Sequence, residues 1–310
     1  MFSLKKKAKS DVSMGVSFSN DGIALVTVKR GSLSLILEMC EFIPCLPEDQ
    51  ASQLIRLVKQ HELDQIPCNC VLLPSEFELL QVDAPEVPSQ EISSALRWQI
   101  KDLIDFHVDD AVIDHIELPN ESTSGKNQLL VVASRESIIR GYVDQLQSAE
   151  INLKTIDIAV QAARNIVNFQ SKELSHNSIG LLNLWDDVAK ISVILNNDLY
   201  INRSSNIGLE SLAHVSDQDE NSQLILDSLA LELQRTFDYY ESHSRQAPIS
   251  QLFIISNEKP VKNLAEMLQA RLGIDCISSN MNDIVTLGEN VDNIDYRCIS
   301  AIGGALRDFS

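Results

Sequence analysis

The chain has 310 residues, 44% of them hydrophobic and 5% aromatic, with a formal net charge of −19 at pH 7. This fits a globular α/β protein of one or two domains, each large enough for its own core. The charge argues against nucleic acid held by phosphate neutralisation. No apolar run approaches the ~20 residues of a bilayer-crossing helix, and no signal-peptide pattern heads the chain.

Residues 1–12 form a basic start, with Lys5, Lys6, Lys7 and Lys9. The reading adopted is a solvated segment. Its functional alternative is a weak touch on anionic lipid, at about 1 kcal/mol per basic residue near the surface, too little to anchor a protein without a partner. Gly15–Leu37 then reads as three antiparallel strands joined by tight turns, followed by a helix over Ala51–His61. Cys68 and Cys70 flank Asn69 in an apolar strand and share one face of it. With Cys40, Cys45, Cys276 and Cys298 they make six cysteines without a C-x-x-C pair or a histidine at zinc-ligand spacing. Free thiols in a reducing compartment are expected, and no metal.

From Val87 the spacing of Ile92, Ala95, Leu96, Ile100, Leu103 and Ile104 predicts an amphipathic helix capped by Ser89. A strand over Leu129–Ala133 feeds a second helix, with Ile138, Ile139, Tyr142, Val143 and Leu146 on one side. A helix over Ile158–Phe169 follows. Leu181–Arg203 then repeats the opening meander at a constant offset of 166 residues, so that Arg30-Gly31-Ser32 falls on Asn196-Asn197-Asp198. On the same offset, strand Leu25–Val28 falls on Ile191–Ile194 and Leu33–Ile36 on Leu199–Asn202. A helix over Leu224–Tyr240 comes after this unit as well. Two lobes that open alike suggest a pseudo-symmetric molecule with a cleft between halves.

Several stretches carry a family resemblance, in order along nearly the whole chain. They are Leu96-Arg97-Trp98-Gln99, the break Ile104-Asp105-Phe106, the acidic strand Asp109–His115, Leu129–Arg135, Leu231–Glu241, Asn263–Ile274 and the Ala- and Gly-rich Ala301–Arg307. This set resembles the PilM family of type IV pilus assembly proteins, most closely its members from mannose-sensitive haemagglutinin (MSHA) pilus systems. The resemblance implies an α/β, actin-like (ribonuclease H-like) two-lobe ATPase fold with an inserted α+β subdomain of the 1C type. On that pattern lobe I comprises residues 13–80 and 154–175, with 296–310 packing back onto it. Subdomain 1C spans 81–153, and lobe II spans 176–295.

Actin-like ATPases hold phosphate with two glycine-bearing turns led by acids, because a Cβ would block the approach of backbone N–H groups. A double glycine lies near the adenosine. At the corresponding positions this chain has Ser17-Phe18-Ser19-Asn20, then Asn183-Leu184-Trp185-Asp186, then Asn257-Glu258. The first turn has neither its acid nor its glycine, Asn183 and Trp185 stand at the acid and glycine positions of the second, and Asn257-Glu258 stands at the double glycine. A micromolar site has about 8 kcal/mol of binding free energy, and each lost contact costs roughly 1–3 kcal/mol, so a degenerate cleft without ATP or Mg is expected. Asp21, Asp186 and Asp187 read either as displaced acids, with Gly22 as a shifted phosphate glycine, or as hairpin-turn aspartates. The second reading is adopted.

The resemblance implies an adaptor, not an enzyme. Its expected place is the cytoplasmic face of the inner membrane, where it would grip the N-terminal tail of a PilN-like bitopic protein between subdomains 1A and 1C and meet other platform and motor components. Asp102, Asp105, Asp109 and Asp110 lie in subdomain 1C and suit a basic tail as one groove wall. They also read as a solvated helix end and loop. Trp98, off the main apolar stripe, reads either as core of the subdomain, the reading adopted, or as an interface aromatic of that groove. A residual ATPase and a type II secretion L-like protein are the alternatives. The lost phosphate turns disfavour the first, and a chain ending at Ser310 without a membrane helix disfavours the second.

Overall fold

The computed structural model describes residues 11–118, 127–171, 178–213, 215, 219–244 and 248–309. Lys5, Lys6, Lys7 and Lys9 lie outside them. The first lobe opens with β1 (Val12–Ser19), β2 (Gly22–Arg30) and β3 (Leu35–Pro44), then α1 (Gln50–His61) and β4 (Pro67–Leu72). An inserted unit follows, with β5 (Glu78–Asp83), α2 (Ile92–Ile100), β6 (Ala111–Glu117) and β7 (Gln128–Arg135). The chain returns to the lobe through α3 (Glu136–Ser148), β8 (Asn152–Ile158) and α4 (Ala159–Gln170). The second lobe has β9 (Ile179–Leu184), β10 (Ala189–Leu195), β11 (Asp198–Ser205), the short α5 (Leu209–Leu212) and α6 (Glu220–His243). It continues through β12 (Gln251–Ser256), α7 (Leu264–Leu272) and β13 (Asp275–Ser278). Finally β14 (Val285–Leu287) and α8 (Ile299–Leu306) return to the first lobe.

The two large sheets share a five-strand topology, to which the first adds β14 at its edge. The first runs β14-β3-β2-β1-β4-β8 and the second β11-β10-β9-β12-β13. In each, an antiparallel meander is extended by parallel strands, which need crossover helices to return the chain. Strands β9 and β10 are buried along their whole length, as sheets covered on both faces require. The 166-residue offset holds for the first two strands of each meander and fails at the third. The β2–β3 connection takes four residues, Arg30 pairing with Leu35, whereas β10–β11 takes two, Leu195 pairing with Asp198. Asn196 and Asn197 both have positive φ there, 50° and 68°, the conformation a two-residue hairpin turn demands.

Helices α4 and α8 cross where the lobes meet. One apolar cluster runs from Val26 and Leu37 through Ile166, Ile302 and Leu306 to Leu181 and Ile255. The crossing is close: a Cβ on Gly303 would lie 2.3 Å from the Ala162 carbonyl oxygen. On the other side α8 rests on β1, where a Cβ on Gly15 would lie 1.8 Å from Ala301 O. Ser13 Oγ (2.7 Å) and Asn69 Nδ2 (3.1 Å) both donate to Asp308, and Arg307 donates to Asp157 at 2.5 Å.

The inserted unit is a three-stranded sheet, β5-β7-β6. Alternation along β7 divides its side chains between two cores. Leu129, Val131 and Ala133 join Leu96 and Ile100 of α2, while Leu130 and Val132 join Ile138, Ile139 and Leu72 on the α3 side. Helix α2 is shorter than its apolar spacing predicts, ending at Ile100 with Leu103 exposed. Arg97 sets this end by donating to Val108 O (2.7 Å) and Ala111 O (2.9 Å), which folds the following loop back under the helix. Ser89 opens a 3-10 turn, and the N-cap of α2 is Glu91, with no side-chain cap bond.

Candidate functional site

The cleft between the lobes has a volume of about 670 Å³. It lies at the carboxyl ends of β1, β4, β9 and β12, where an open α/β sheet presents its ligand site. Of the sequence-predicted residues, Ser17, Ser19, Asn20, Trp185, Asp186, Asn257 and Glu258 all line it. Asn183 sits just behind, buried and bonded to Asn257.

The first turn closes on itself. Ser19 pairs with Gly22 across a two-residue hairpin loop, Ser19 Oγ donates to Asp21 Oδ1 at 2.5 Å, and Gln50 of α1 donates to Ser19 O at 2.7 Å. Gly22 is glycine for another reason than phosphate: a Cβ there would lie 2.4 Å from Ile43 O of the neighbouring β3.

The second turn is longer and equally tied. Trp185 N–H donates to Val188 O (2.9 Å), Leu209 N–H to Trp185 O (2.7 Å) and Glu210 N–H to Asp186 O (2.9 Å). Gly208 lets this backbone pack, since its Cβ would sit 2.3 Å from Asp186 O. The Trp185 ring leans on Val71, Ala159 and Ala162 of lobe I. Where an acid and a double glycine would stand, Asn257 Nδ2 donates to Asn183 Oδ1 (2.7 Å) and Leu184 O (3.1 Å), and Asn257 Oδ1 accepts from Ser300 Oγ (2.9 Å). All three side chains are buried. Because Ser300 belongs to α8, this network bridges the lobes.

The remaining charges in the cleft are mostly negative. Asp21, Asp186, Asp187, Glu210 and Glu258 face one cation, Arg297. That guanidinium is already held by Asp295 at 2.6 Å and stacked on Phe42 at 3.8 Å. The pair holds the Asp295 carboxyl below its usual range. Burial, then the nearby Asp186, pushes Glu258 up. A nucleoside triphosphate with its magnesium needs free N–H groups and a metal-positioning acid. Here the Trp185 amide is spent inside its turn and the acid position holds Asn183. Among the described residues no group of three or more His, Cys, Asp or Glu is arranged to hold a metal ion.

The expected partner-groove residues lie elsewhere, on the α2 side of the inserted unit. Trp98 is not core: it is 73% exposed, with Lys101 Nζ 5.0 Å from its ring centre. It points out because the α2 face that meets β7 is filled by Leu96 and Ile100. Asp102, Asp105, Asp109 and Asp110 are exposed, Asp105 paired with Arg135 at 3.2 Å and Asp109 3.6 Å from His107. The cluster beneath them draws only on residues 80–133.

It is α3, not α2, that meets lobe I. Its Tyr142 stacks on Phe18 (4.7 Å) and donates from its hydroxyl to Glu76 Oε1. Leu73 N–H donates to the other Glu76 oxygen at 2.7 Å. Burial pushes the Glu76 carboxyl up. A groove of about 190 Å³ runs between α1 and the end of α3, with Ile55, Val58 and Ala149 as its apolar lining and Lys59, Glu62, Asp64 and Glu150 as its charges. None of the three acids forms an ion pair among the described residues. Glu62 and Glu150 end their helices at positive φ, 54° and 59°, where glycine is the usual residue. Sequence reasoning missed this triad, although two helix ends closed by glutamate where glycine is expected were a signal it could have used.

These features define a class. The twin-sheet body with its interlobe cleft is the actin-like ATPase fold. Over residues 81–217 the chain is PilM-like, matching the family model of the type IV pilus assembly protein PilM. A chain of a PilM-PilN type IV pilus biogenesis complex superposes with a TM-score of 0.74 at 16% identity, covering 97% of this chain and 99% of that one. A Bacteroides thetaiotaomicron protein of actin-like ATPase fold and unknown function superposes at 0.52, with 11% identity over 92% of this chain and 96% of its own. No curated protein matches the sequence. No helix among the described residues is long and apolar enough to cross a membrane.

Proposed function

We propose that this chain is a cytoplasmic adaptor of a type IV pilus assembly machine, of the MSHA (MshI-like) kind, and that it does not turn over nucleotide. It sits peripherally at the inner-membrane face and grips the basic N-terminal tail of a PilN-like bitopic protein. Other platform and motor components, and weakly anionic lipid, complete its partners. The observation that carries the reading is the family match over residues 81–217, which takes in all but the first residues of the inserted unit. The MSHA assignment rests on the ordered sequence motifs from Leu96-Arg97-Trp98-Gln99 to Ala301–Arg307.

The pseudo-ATPase part is supported by the cleft. Its turns consume their own hydrogen-bonding groups, and its surplus of carboxylates repels a triphosphate. For the tail, the α1/α3 groove offers an apolar strip ending in three carboxylates without an ion pair among the described residues, which fits a few apolar residues followed by arginine or lysine. Left-handed glutamates cost of order 1 kcal/mol each, and two of them at one groove are explained if their charge is used. Trp98 with Asp102, Asp105, Asp109 and Asp110 is the competing surface, with an exposed aromatic anchor of its own.

The test is titration of synthetic N-terminal tails from inner-membrane pilus proteins against the purified chain, beside a calorimetric titration with Mg-ATP. Micromolar capture of one tail and no heat with Mg-ATP are expected. Failure of every tail removes the adaptor reading, and low-micromolar nucleotide binding removes the pseudo-ATPase reading.

A further inference from the structure

Helix α6 carries two apolar stripes. One faces its own lobe: Leu226, Leu229, Leu233, Phe237 and Tyr240 are buried and join Ile191 and Val193 of β10 and Leu268 of α7 in one cluster. The opposite face of that sheet supplies Leu181, Ile194 and Ile255 to the core between the lobes, so α6 lies on the side of lobe II turned away from lobe I. Its second stripe is turned to solvent. Leu224 and Leu231 are 65% and 46% exposed. Seven residues separate them, so they share one face and stand about 10 Å apart along the axis. Glu220, Asn221, Asp227, Ser228, Gln234 and Arg235 surround them, all exposed, and Asp238, a further seven residues on, ends the apolar stripe.

We infer that this face is a self-association surface, on which a second copy of the chain lays its own α6 antiparallel about a two-fold axis. The symmetry of the stripe points to a second copy. A two-fold axis passing between Asp227 and Ser228 sets Leu224 against Leu231 of the second copy. The same operation sets Glu220 against Arg235, Asn221 against Gln234 and Asp227 against Ser228. Leucine thus meets leucine, carboxylate meets guanidinium, amide meets amide, and carboxylate meets hydroxyl. Glu220 and Arg235 form no ion pair among the described residues. Asp227 is already neutralised by Arg271 at 2.7 Å, so its place beside the axis brings no repulsion. A foreign helix could cover the leucines, but it would not require opposite charges at equal distances from their midpoint. Two leucines per copy make a contact below the roughly 1,000 Å² of a stable interface, so the pairing is weak and reversible.

The inference does not rest on the adaptor reading, and the pairing uses no residue of the cleft or of the α1/α3 groove. Its test is sedimentation velocity of the full chain from low-micromolar to submillimolar concentration. A monomer that passes reversibly into a dimer as concentration rises is expected. Leu231→Asp should weaken the dimer about tenfold or more, because each substitution falls twice in a symmetric contact. Arg235→Glu should weaken it about fivefold by opposing Glu220. Glu220→Arg combined with Arg235→Glu exchanges the charges of both pairs and should restore association to within about twofold of the unaltered chain. All three positions are exposed, so the melting temperature should hold in each variant. A chain that stays monomeric throughout overturns the inference. So does a dimer indifferent to Leu231→Asp, which would lie on another surface. Loss on Arg235→Glu without rescue by the exchange overturns the antiparallel register, and with it the case for a second copy.

Discussion

The interlobe cleft and the α1/α3 groove are both lined by polar side chains, and they differ in whether those groups already have partners. In the cleft, Asn183, Asn257 and Ser300 satisfy one another, and both turns hydrogen-bond internally. In the groove, Glu62 and Glu150 are exposed, without an ion pair among the described residues and on backbone that costs energy to hold, while the half-buried Asp64 accepts from its neighbour Gln65 at 2.8 Å. A site whose polar groups are mutually satisfied has become structure. One that keeps charges unpaired under strain is suited to a ligand of opposite charge.

The largest effect that would break this contrast is on stability. Asn257→Ala removes the centre of the buried network and strands Asn183 Oδ1 and Ser300 Oγ, so a loss of about 2–4 kcal/mol is expected in urea melts. A variant that loses nothing would mean the cleft is not held shut by these bonds. Next comes Glu62→Lys with Glu150→Lys. The backbone strain is unchanged, so the melting temperature should hold, while capture of a basic tail weakens by about tenfold at low salt and less at high salt. Asp105→Lys with Asp109→Lys, measured in parallel, decides between the two acidic surfaces: the larger loss marks the groove.

A smaller effect of opposite sign sharpens the same point. Glu62→Gly and Glu150→Gly should each stabilise by up to about 1 kcal/mol, because glycine adopts positive φ without penalty, and each should still weaken tail capture. Thermal melts and tail titrations on the same samples would show whether stability and binding move in opposite directions. The smallest effect is electrostatic. Burial and Asp186 raise the folded-state pKa of Glu258, so its charged form is disfavoured and stability falls as pH rises from the ordinary carboxylate value to the raised one, then levels off. Glu258→Gln should therefore raise the melting temperature slightly at neutral pH, by less than about 0.5 kcal/mol after solvent screening. The gain should vanish in acid below the unfolded pKa, where both forms are neutral.

Much of the fold was legible in the residues because its signals are local. The Asn-Asn turn, the alternation of β1, the apolar run of β2, and the helical stripe of Ile138, Tyr142 and Leu146 sit where their own chemistry puts them. The misreadings have longer-range causes. Leu103 and Ile104 continue the helical spacing, yet α2 stops at Ile100 because Arg97 reaches forward to Val108 and Ala111. The third strand of the second meander starts early because its hairpin loop is two residues shorter, which a constant offset cannot express. Trp98 was read as core because an aromatic near an apolar stripe usually is, and only the side chains packed against β7 show that no room remains. Seven of the eight cleft positions are gathered into one cavity's lining, since they follow strand ends whose order the repeat implies. The groove acids were hidden because Glu62 and Glu150 belong to helices that are distant in sequence, and the apolar faces of α2 and α3 both suited the place beside α1.

Arg30 touches both extremities of the described chain: its amide meets Asp11, and its guanidinium covers Phe309. A linker fused to a chain trimmed to residues 11–309 would therefore depart from the same edge at either end. Immobilising the protein through either tag would turn the cleft outward and hide the Leu33 loop against the support. Sensor-chip measurements made that way would report faithfully on nucleotide and miss whatever meets that loop, so attachment through an engineered side chain on lobe II is the arrangement that leaves both faces open.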